Sequence, residues 1–163
     1  MKIYDRYYKA MYNTALRIVK DSMEAEDVMQ ESFLNAFTKL DTFRGEVSFG
    51  AWLKRIVINN SIYQYKKKQR AQEVPLDTVV YKVEDNDGIA SDDHALRNVQ
   101  AQKVLQTMKT LKDSYRVSLT LFLVEGYDYE EISEIMGISY ANCRTMISRG
   151  KESLRKKLIE VPI

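Results

Sequence analysis

The chain has 163 residues, of which 45% are hydrophobic and 29% charged, with only 6 Gly and 2 Pro. This balance is typical of a folded protein of one domain or two small ones, and it excludes a disordered chain. A β-sandwich or barrel needs more turn residues, so the composition predicts an all-α fold. The single Cys cannot form an internal disulfide and suits a reducing compartment.

Hydropathy gives no sign of a membrane segment. The longest apolar stretch, around Leu119 to Val124, is too short to span a bilayer, and residues 1–5 lack the apolar core of a signal peptide. We therefore expect a cytoplasmic protein without direct membrane insertion.

The formal net charge of +2 hides an uneven distribution. Residues 1–70 carry a net +5, residues 71–96 a net −6 and residues 97–163 a net +3. Two basic segments around an acidic one favour two DNA-facing modules joined by a tether that does not touch DNA.

Helical periodicity divides the chain into two domains, residues 1–70 and 95–163, joined by a flexible acidic linker over residues 71–94. In the second helix, an inward stripe is predicted from Met29, Phe33, Ala36, Phe37 and Leu40. The predicted helices are Tyr4–Lys20, Glu24–Leu40, Ser48–Arg70, Ala95–Leu111, Ser114–Val124, Tyr129–Met136 and Tyr140–Leu158.

Residues 127–158 read as a helix-turn-helix, with Gly137 where a left-handed turn residue belongs. In the second helix of this motif, Tyr140–Leu158, the spacing predicts an inward stripe of Cys143, Ile147, Gly150, Leu154 and Leu158. Gly150 on that stripe predicts that another helix approaches closely. The N-terminal residues of such a helix contact base edges in the major groove, which here are Ser139, Tyr140, Asn142, Arg144 and Thr145. The alternative is a plain helical hairpin with a solvated basic face.

The second predicted helix has a polar stripe at i, i+3, i+4, i+7 and i+8, made of Asp27, Gln30, Glu31, Leu34 and Asn35. An apolar Leu34 within an acidic stripe is typical of a protein contact surface. A solvated face with one stray Leu fits the stripe equally well.

The long third helix mixes aromatic side chains with basic ones. Aromatic faces stack on unpaired bases while basic side chains follow phosphates, so the mixture favours single-stranded nucleic acid. Core packing is the alternative, which we prefer for Phe49 and Leu53. The residues concerned are Phe49, Trp52, Tyr63 and Tyr65, among Lys54, Arg55, Lys66, Lys67, Lys68 and Arg70, with Asn59 and Asn60 as amides.

Together these motifs resemble the sigma-70 superfamily of bacterial transcription initiation factors, and most closely its extracytoplasmic-function (ECF) group. The resemblance rests on residues 25–34, on Phe43-Arg44-Gly45 with Phe49, residues 52–56 and Asn59, and on residues 129–139. It implies a region 2-like three- or four-helix domain and a region 4-like helix-turn-helix domain.

The resemblance also implies partners and site residues. Asp27, Gln30, Glu31, Leu34 and Asn35 would bind the clamp helices of the largest subunit of core RNA polymerase, and the flap would be a further contact. Promoter DNA would be melted and read at its downstream (−10) element by Phe43, Glu46, Val47, Ser48, Trp52, Arg55, Asn59 and Tyr63, with duplex phosphates on Lys66, Lys67 and Arg70. Its upstream (−35) element would be read by Ser139, Tyr140, Asn142, Arg144, Thr145, Ser148, Arg149 and Lys151. An anti-sigma factor, often tethered to the membrane, is a further implied partner.

The residues also allow two other functions. One is an ordinary helix-turn-helix regulator with an N-terminal sensor or dimerisation domain, which would not need core polymerase. The other is an enzyme, but the sequence has no phosphate-binding Gly loop and no zinc ligand cluster, and His94 and Cys143 lack catalytic partners. We therefore expect a non-enzymatic protein without catalytic residues, metal or cofactor.

Overall fold

The structure, a computed structural model, describes residues 2–72 and 95–160, with side chains for residues 5–71 and 99–159. All regular elements in these two ranges are helical, which confirms the predicted all-α class. They are α1 (Lys2–Val19), α2 (Ser22–Thr38), a 3-10 turn (Leu40–Thr42), α3 (Phe49–Gln72), α4 (Ala95–Met108), α5 (Asp113–Leu119), a π-helical segment (Thr120–Val124), α6 (Tyr129–Met136) and α7 (Tyr140–Glu160). The predicted linker from residue 73 onward, including His94, lies outside the described residues.

The N-terminal half is a bundle in which α1, α2 and α3 all pack against one another. Its centre is formed by side chains without solvent exposure, among them Ile18, Leu53 and Ile58. α2 starts at Ser22, two residues before the predicted Glu24, because the Asp21 carboxylate accepts hydrogen bonds from the backbone N–H groups of Met23 (2.8 Å) and Glu24 (3.0 Å).

Three predictions about which apolar side chains enter the N-terminal core were wrong. Phe37 and Leu40 were expected to face inward, but they are 46% and 48% exposed. The reason is that α2 ends at Thr38 and the chain turns away through the 3-10 segment. Tyr65 was grouped with the nucleic-acid-facing aromatics, yet it is buried and belongs to the core.

The C-terminal half contains the predicted helix-turn-helix, formed by α6 and α7. Asp128 and Glu131 form a complete capping box at the start of α6. Gly137 ends that helix with φ 69°, the left-handed conformation that the sequence predicted for it.

Gly150 lies where α7 packs closely against α5. A Cβ atom at this position would lie 3.2 Å from Leu119 Cγ and 3.3 Å from Tyr115 Cβ. The inward stripe predicted for α7 is confirmed at Cys143, Ile147, Gly150 and Leu154, all buried, while Leu158 near the end of the helix is half-buried.

The predicted helix Ser114–Val124 is not a uniform α-helix. It changes at Thr120 into a π-helical segment, in which the Glu125 N–H donates to the Thr120 carbonyl at 3.0 Å. Such i→i+5 segments shift the side chains that follow. This one brings Glu125 against the N-terminal half, and the two halves are in contact through α1 with α5 and through α3 with α6.

Candidate polymerase-binding and nucleic-acid interfaces

The predicted protein-contact stripe on α2 lies at the surface. Asp27, Gln30 and Glu31 are exposed, and Leu34 is 62% exposed. Asn35 is half-buried, because its side-chain oxygen accepts a hydrogen bond from Asn60 Nδ2 at 3.0 Å. The four exposed members can contact a partner without any rearrangement of the helix.

The structure enlarges this stripe with two apolar residues that the sequence periodicity placed in the core. Phe37 follows Leu34 at the i+3 spacing that puts residues on one face of a helix, and Leu40 comes next in the 3-10 turn. Both are about half exposed. We call Leu34, Phe37 and Leu40 the apolar ridge. Contiguous exposed apolar surface of this kind marks protein interaction sites.

The loop between α2 and α3 rests on a cluster of aromatic rings. The ring centroid of Phe43 lies 5.2 Å from that of Trp52 and 5.7 Å from that of Phe49. Glu46, Val47 and the other residues of the loop tip are exposed. The loop that was predicted to read the downstream element is therefore open to solvent above a packed layer of aromatic rings.

Ser48 has a structural role in addition to its predicted one. Its hydroxyl accepts the backbone N–H of Ala51 at 3.1 Å, and its carbonyl accepts that of Trp52 at 3.0 Å. These bonds fix the start of α3 directly after the loop. Asn60 is likewise structural, since its amide donates to Ser32 Oγ at 3.0 Å and to Asn35.

The outer face of α3 gathers part of the predicted DNA-binding set. Asn59, Lys67 and Arg70 are exposed, and Tyr63 is 64% exposed. Their spacing of four, eight and eleven residues from Asn59 puts them on one face.

The remaining basic members of the α3 set contact the C-terminal half. Arg55 is half-buried, with its guanidinium 5.6 Å from the ring centroid of Tyr127. Lys66 is also half-buried, and its ammonium lies against Gly137. The structure thus separates these two side chains from Asn59 and Tyr63, with which the sequence grouped them.

The predicted upstream-reading surface is formed by the first three turns of α7. Ser139 caps the helix, because its hydroxyl accepts the N–H of Asn142 at 3.1 Å. Tyr140 and Asn142 are exposed. A shallow groove of about 450 Å³ runs along the helix and is lined by Ala141, Arg144, Thr145, Ser148 and Arg149.

An aromatic stack behind α7 supports the basic side chains, and no sequence motif predicted it. The rings of Phe122 and Tyr129 are stacked at 5.2 Å. The guanidinium of Arg144 lies 5.9 Å from the Tyr129 centroid, and the ammonium of Lys151 lies 4.6 Å from that of Phe122. These contacts restrict both cations, so Lys151 is partly withdrawn from the DNA-facing side.

Burial explains the shifted pKa of two side chains near these surfaces. Desolvation raises the pKa of the Cys143 thiol above its ordinary value, and the thiol donates to the Tyr129 carbonyl at 3.4 Å. Desolvation likewise raises the pKa of Tyr127, against the opposing effect of the Arg55 charge. Both groups stay protonated at neutral pH.

The described parts of the chain contain neither a membrane span nor a metal-binding cluster. Residues 2–72 and 95–160 have no helix long and apolar enough to cross a bilayer. Over the same ranges there is no group of three or more His, Cys, Asp or Glu that could hold a metal ion.

Comparison with known proteins places the two halves in one family. The family model for Sigma-70 region 2 matches residues 3–71, and that for Sigma-70, region 4 matches residues 101–154. An ECF RNA polymerase sigma factor, SigW of Bacillus subtilis (strain 168), is 31% identical over 164 residues, covering 96% of this chain and 87% of the relative. The RNA polymerase sigma-H factor of Pseudomonas aeruginosa (strain PAO1) is 32% identical, covering 94% and 82%.

Solved structures share the fold at lower sequence identity. The sigma factor RpoE of Bartonella quintana, solved with the anti-sigma factor NepR, has a TM-score of 0.61 at 21% identity and covers 99% of this chain and 97% of its own. CnrH, solved with the cytosolic domain of CnrY, has a TM-score of 0.56 at 21% identity and covers 99% and 88%. With the full-length sequence match, these findings show that the chain belongs to the ECF group of sigma-70 RNA polymerase sigma factors.

Proposed function

We propose that the chain directs core RNA polymerase to promoters and starts transcription there, using a separate surface for each partner. The observation that carries this proposal is the exposure of two chemically different surfaces on separate helices. One is the acidic and apolar face of α2, and the other is the basic groove of α7.

The face of α2 suits a polymerase contact. Its acids would pair with basic residues of the clamp helices, while the apolar ridge would become buried against the largest subunit. Leu34 should contribute most to this contact, because its exposed fraction, 62%, is the largest of the three ridge residues. The flap would be a second contact, made by the C-terminal half.

The loop after α2 and the outer face of α3 suit a melted DNA strand. A base flipped out of the duplex must regain several kcal/mol of lost stacking from its pocket. The loop tip at Glu46 and Val47 with its aromatic floor, and Asn59 nearby in the sequence motif, would supply stacking and hydrogen bonds. Lys67 and Arg70, exposed further along α3, would hold phosphates of the adjoining duplex.

The groove of α7 suits duplex DNA. A helix-turn-helix inserts the start of its second helix into the major groove, where Arg pairs with guanine and Asn with adenine. Arg144 and Asn142 are exposed at that position and are the proposed base readers. Thr145, Ser148 and Arg149 would fix the helix on the backbone.

The division into residues 1–70, a linker over 71–94 and residues 95–163 is part of the proposal, with one promoter element for each domain. An extended segment of that length reaches at most about 80 Å, which is enough to separate two sites along a duplex. We assign no catalytic step to the chain, and its place of action would be the cytoplasm, where polymerase and chromosome are.

An anti-sigma factor is a further proposed partner. One structural neighbour, RpoE of Bartonella quintana, was solved with such a factor. The exposed apolar ridge on α2 offers a surface for which an inhibitor and core polymerase would compete.

The decisive experiment measures retention of the chain by purified core polymerase. Leu34→Asp should abolish retention while the thermal unfolding midpoint stays unchanged, because Leu34 is exposed. Val99→Asp is the matched control, since Val99 is 66% exposed and lies on α4. Equal loss with both variants, or a collapse in stability with Leu34→Asp, would contradict the assignment.

Retained complexes should then initiate RNA synthesis on a promoter library in a run-off assay. A chain that binds core polymerase but selects no promoter would leave the DNA-reading part of the proposal without support.

A further inference from the structure

The aromatic stack behind α7 has Tyr129 as its common member. The Tyr129 ring is nearly parallel to that of Phe122, with an interplanar angle of 5° and centroids 5.2 Å apart. The ring of Tyr140 meets it edge-on, at 85° and 6.1 Å. Aromatic pairs prefer both of these arrangements. The Tyr129 ring is therefore held by neighbours from two other elements, the π-helical segment and α7.

The backbone of Tyr129 is fixed as well. Asp128 and Glu131 close the capping box around it with hydrogen bonds of 2.8 Å and 2.9 Å. The Tyr129 carbonyl accepts the Cys143 thiol at 3.4 Å, and Cys143 directly precedes Arg144 in α7. The main chain of Tyr129 is thus joined to α7 beside the residue that is proposed to read a base.

Phe122 is anchored within the π-helical segment. The Glu125 N–H donates to the Thr120 carbonyl at 3.0 Å and closes the wide turn around it. Leu121 is fully buried, while Phe122 is half-buried. Segments of this kind are frequent at functional sites. The closed turn and the buried Leu121 side chain together keep the Phe122 ring in its place against Tyr129.

Two cations of α7 lie on this stack. The Arg144 guanidinium carbon is 5.9 Å from the Tyr129 centroid, and the Lys151 ammonium nitrogen is 4.6 Å from the Phe122 centroid. Their spacing of seven residues, about two helical turns, puts them on one face of α7. Both distances are within the range at which an aromatic face attracts a cation.

The ring contact restricts Arg144 without using its hydrogen-bond donors. Arg144 is exposed, and an exposed arginine otherwise samples many side-chain conformations, which binding must restrict at a cost in entropy. When an arginine stacks on an aromatic face, its N–H donors stay free at the rim of the planar guanidinium. Those donors pair with the O6 and N7 atoms of guanine. The contact with Tyr129 therefore preorganises Arg144 for a base.

Arg149 provides the contrast on the same groove. It is exposed and lines the groove together with Arg144. Within residues 5–71 and 99–159, however, no aromatic ring lies at cation–π distance from its guanidinium. Of these two arginines, the ring restrains the proposed base reader and not the proposed phosphate contact.

We propose that Tyr129 is a positioning residue for base selection, whose ring, backed by Phe122, holds the Arg144 guanidinium where it pairs with guanine in the upstream element. The inference rests on the proposed function, which assigns base reading to Arg144. Tyr129 and Phe122 then contribute to selectivity from outside α7, without contacting the base that Arg144 reads. Arg149 contributes affinity on any sequence.

The first test measures selectivity of holoenzyme assembled with the full chain. Filter binding compares the promoter selected from the library with its single-base-pair variants, and the base pair of interest is the one at which Arg144→Ala loses most discrimination. Tyr129→Leu should lower the discrimination ratio there by about two- to fivefold, as expected for loss of a partly exposed cation–π contact. Tyr129→Phe, which keeps the ring, should retain the wild-type ratio. Equal losses with Leu and Phe would overturn the proposal, and so would an unchanged ratio in folded Tyr129→Leu.

A double-mutant cycle shows whether Tyr129 acts through Arg144. In the Arg144→Ala background, Tyr129→Leu should not lower the discrimination ratio further, because the side chain that the ring holds is gone. Arg149→Ala is the matched control background, in which Tyr129→Leu should still lower the ratio by about two- to fivefold. The same further loss in both backgrounds would reduce Tyr129 to a structural role and contradict the proposal.

The position of Arg144 can also be followed without DNA. In NMR spectra of the full chain, the side-chain protons of Arg144 should have an upfield ring-current shift, which Tyr129→Leu removes and Tyr129→Phe keeps. Shifts that are the same in wild type and Tyr129→Leu would refute the contact. Circular dichroism checks that each variant is folded. If Tyr129→Leu is not, Phe122→Leu takes its place and should reduce both the ring-current shift and the discrimination ratio.

Arg144→Ala separates this inference from the proposed function. A chain that forms no holoenzyme, or unchanged discrimination with Arg144→Ala, would refute the proposed function, while the NMR comparison would still decide whether Tyr129 holds the guanidinium. Lost discrimination with Arg144→Ala, together with wild-type discrimination in folded Tyr129→Leu, would refute the positioning role alone.

Discussion

Helices α3 and α7 both carry predicted DNA contacts, but they differ in how they are packed. α7 packs against α4, α5 and α6 through one stripe, on which Ile147 and Gly150 are buried, while Arg144 and Ser148 are exposed. α3 packs against α1, α2 and α6. Its side chains are therefore divided among a core, an open face and a contact with the other half.

The comparison shows when spacing along a helix identifies functional residues. A helix with one buried side sorts its residues by a period of 3.6, and the exposed remainder is available for a ligand. A helix packed on several sides does not, because a basic residue can be occupied by a neighbouring element. Arg55 is that case in α3, where it is half-buried beside the Tyr127 ring, whereas Arg144 in α7 stays exposed although it lies near the Tyr129 ring.

The largest expected effect is a loss of stability, caused by a substitution on the buried side of α7. Gly150→Val should lower the free energy of unfolding by about 1–3 kcal/mol, because the added atoms meet Leu119 and Tyr115. Urea denaturation measures this effect. Glu152→Val, at an exposed position of the same helix, is the control for helix propensity. Equal losses of unfolding free energy for both variants would mean that α5 shifts to accommodate the added side chain.

The outward side of α7 is tested by Arg144→Ala. The variant holoenzyme should lose about 1–3 kcal/mol of binding to its promoter and discriminate less at one base pair of the upstream element. Filter binding on promoter variants measures both quantities. A uniform loss on every sequence would reduce Arg144 to a phosphate contact.

At the C-terminal end of α3, the open face should contribute to DNA binding through charge alone. Lys67→Ala and Arg70→Ala should each reduce the slope of log affinity against log salt concentration by about 1. Lys68→Ala is the matched control, because Lys68 pairs with Glu24 at 3.5 Å. A slope change as large for Lys68 as for its neighbours would show that this ion pair opens on DNA.

The smallest effect concerns Cys143 on the inward side of α7. Burial raises the pKa of its thiol above the ordinary value of 9.0, so the native protein should react slowly with a thiol reagent at pH 8 and the denatured protein rapidly. Stability should be unaffected by this group below pH 9 and fall above it, because the unfolded thiol loses its proton first. Fast native reaction would show that α7 separates readily from α6.

Much of the fold follows from the sequence because its signals are local. Gly137 predicted the end of α6, and the helix has the bounds Tyr129–Met136 that the periodicity predicted. The exposed stripe of α2 and the exposed turns of α7 were also placed from spacing, although their partners stay proposals.

The remaining features depend on contacts that are distant along the chain. The basic residues that flank Tyr65 in the sequence suggest an exposed aromatic side chain. In the structure, however, Tyr65 lies on the side of α3 that is buried in the core. Arg116 has no local feature that predicts burial, because its acceptors lie almost a hundred residues earlier in α1. The π-helical segment at Thr120 likewise follows an apolar run whose pattern fits an ordinary α-helix equally well.

The missing side chain at Gly150 has a consequence for how promoter preference can change. It lets α7 seat closely on α5 through atoms that never face DNA. On the proposed assignment, substitutions at Asn142 or Arg144, which are exposed, would then alter the recognised sequence without refolding the domain. New promoter preferences would arise from this scaffold by single substitutions, and the same two positions are where an engineer would build an orthogonal promoter pair.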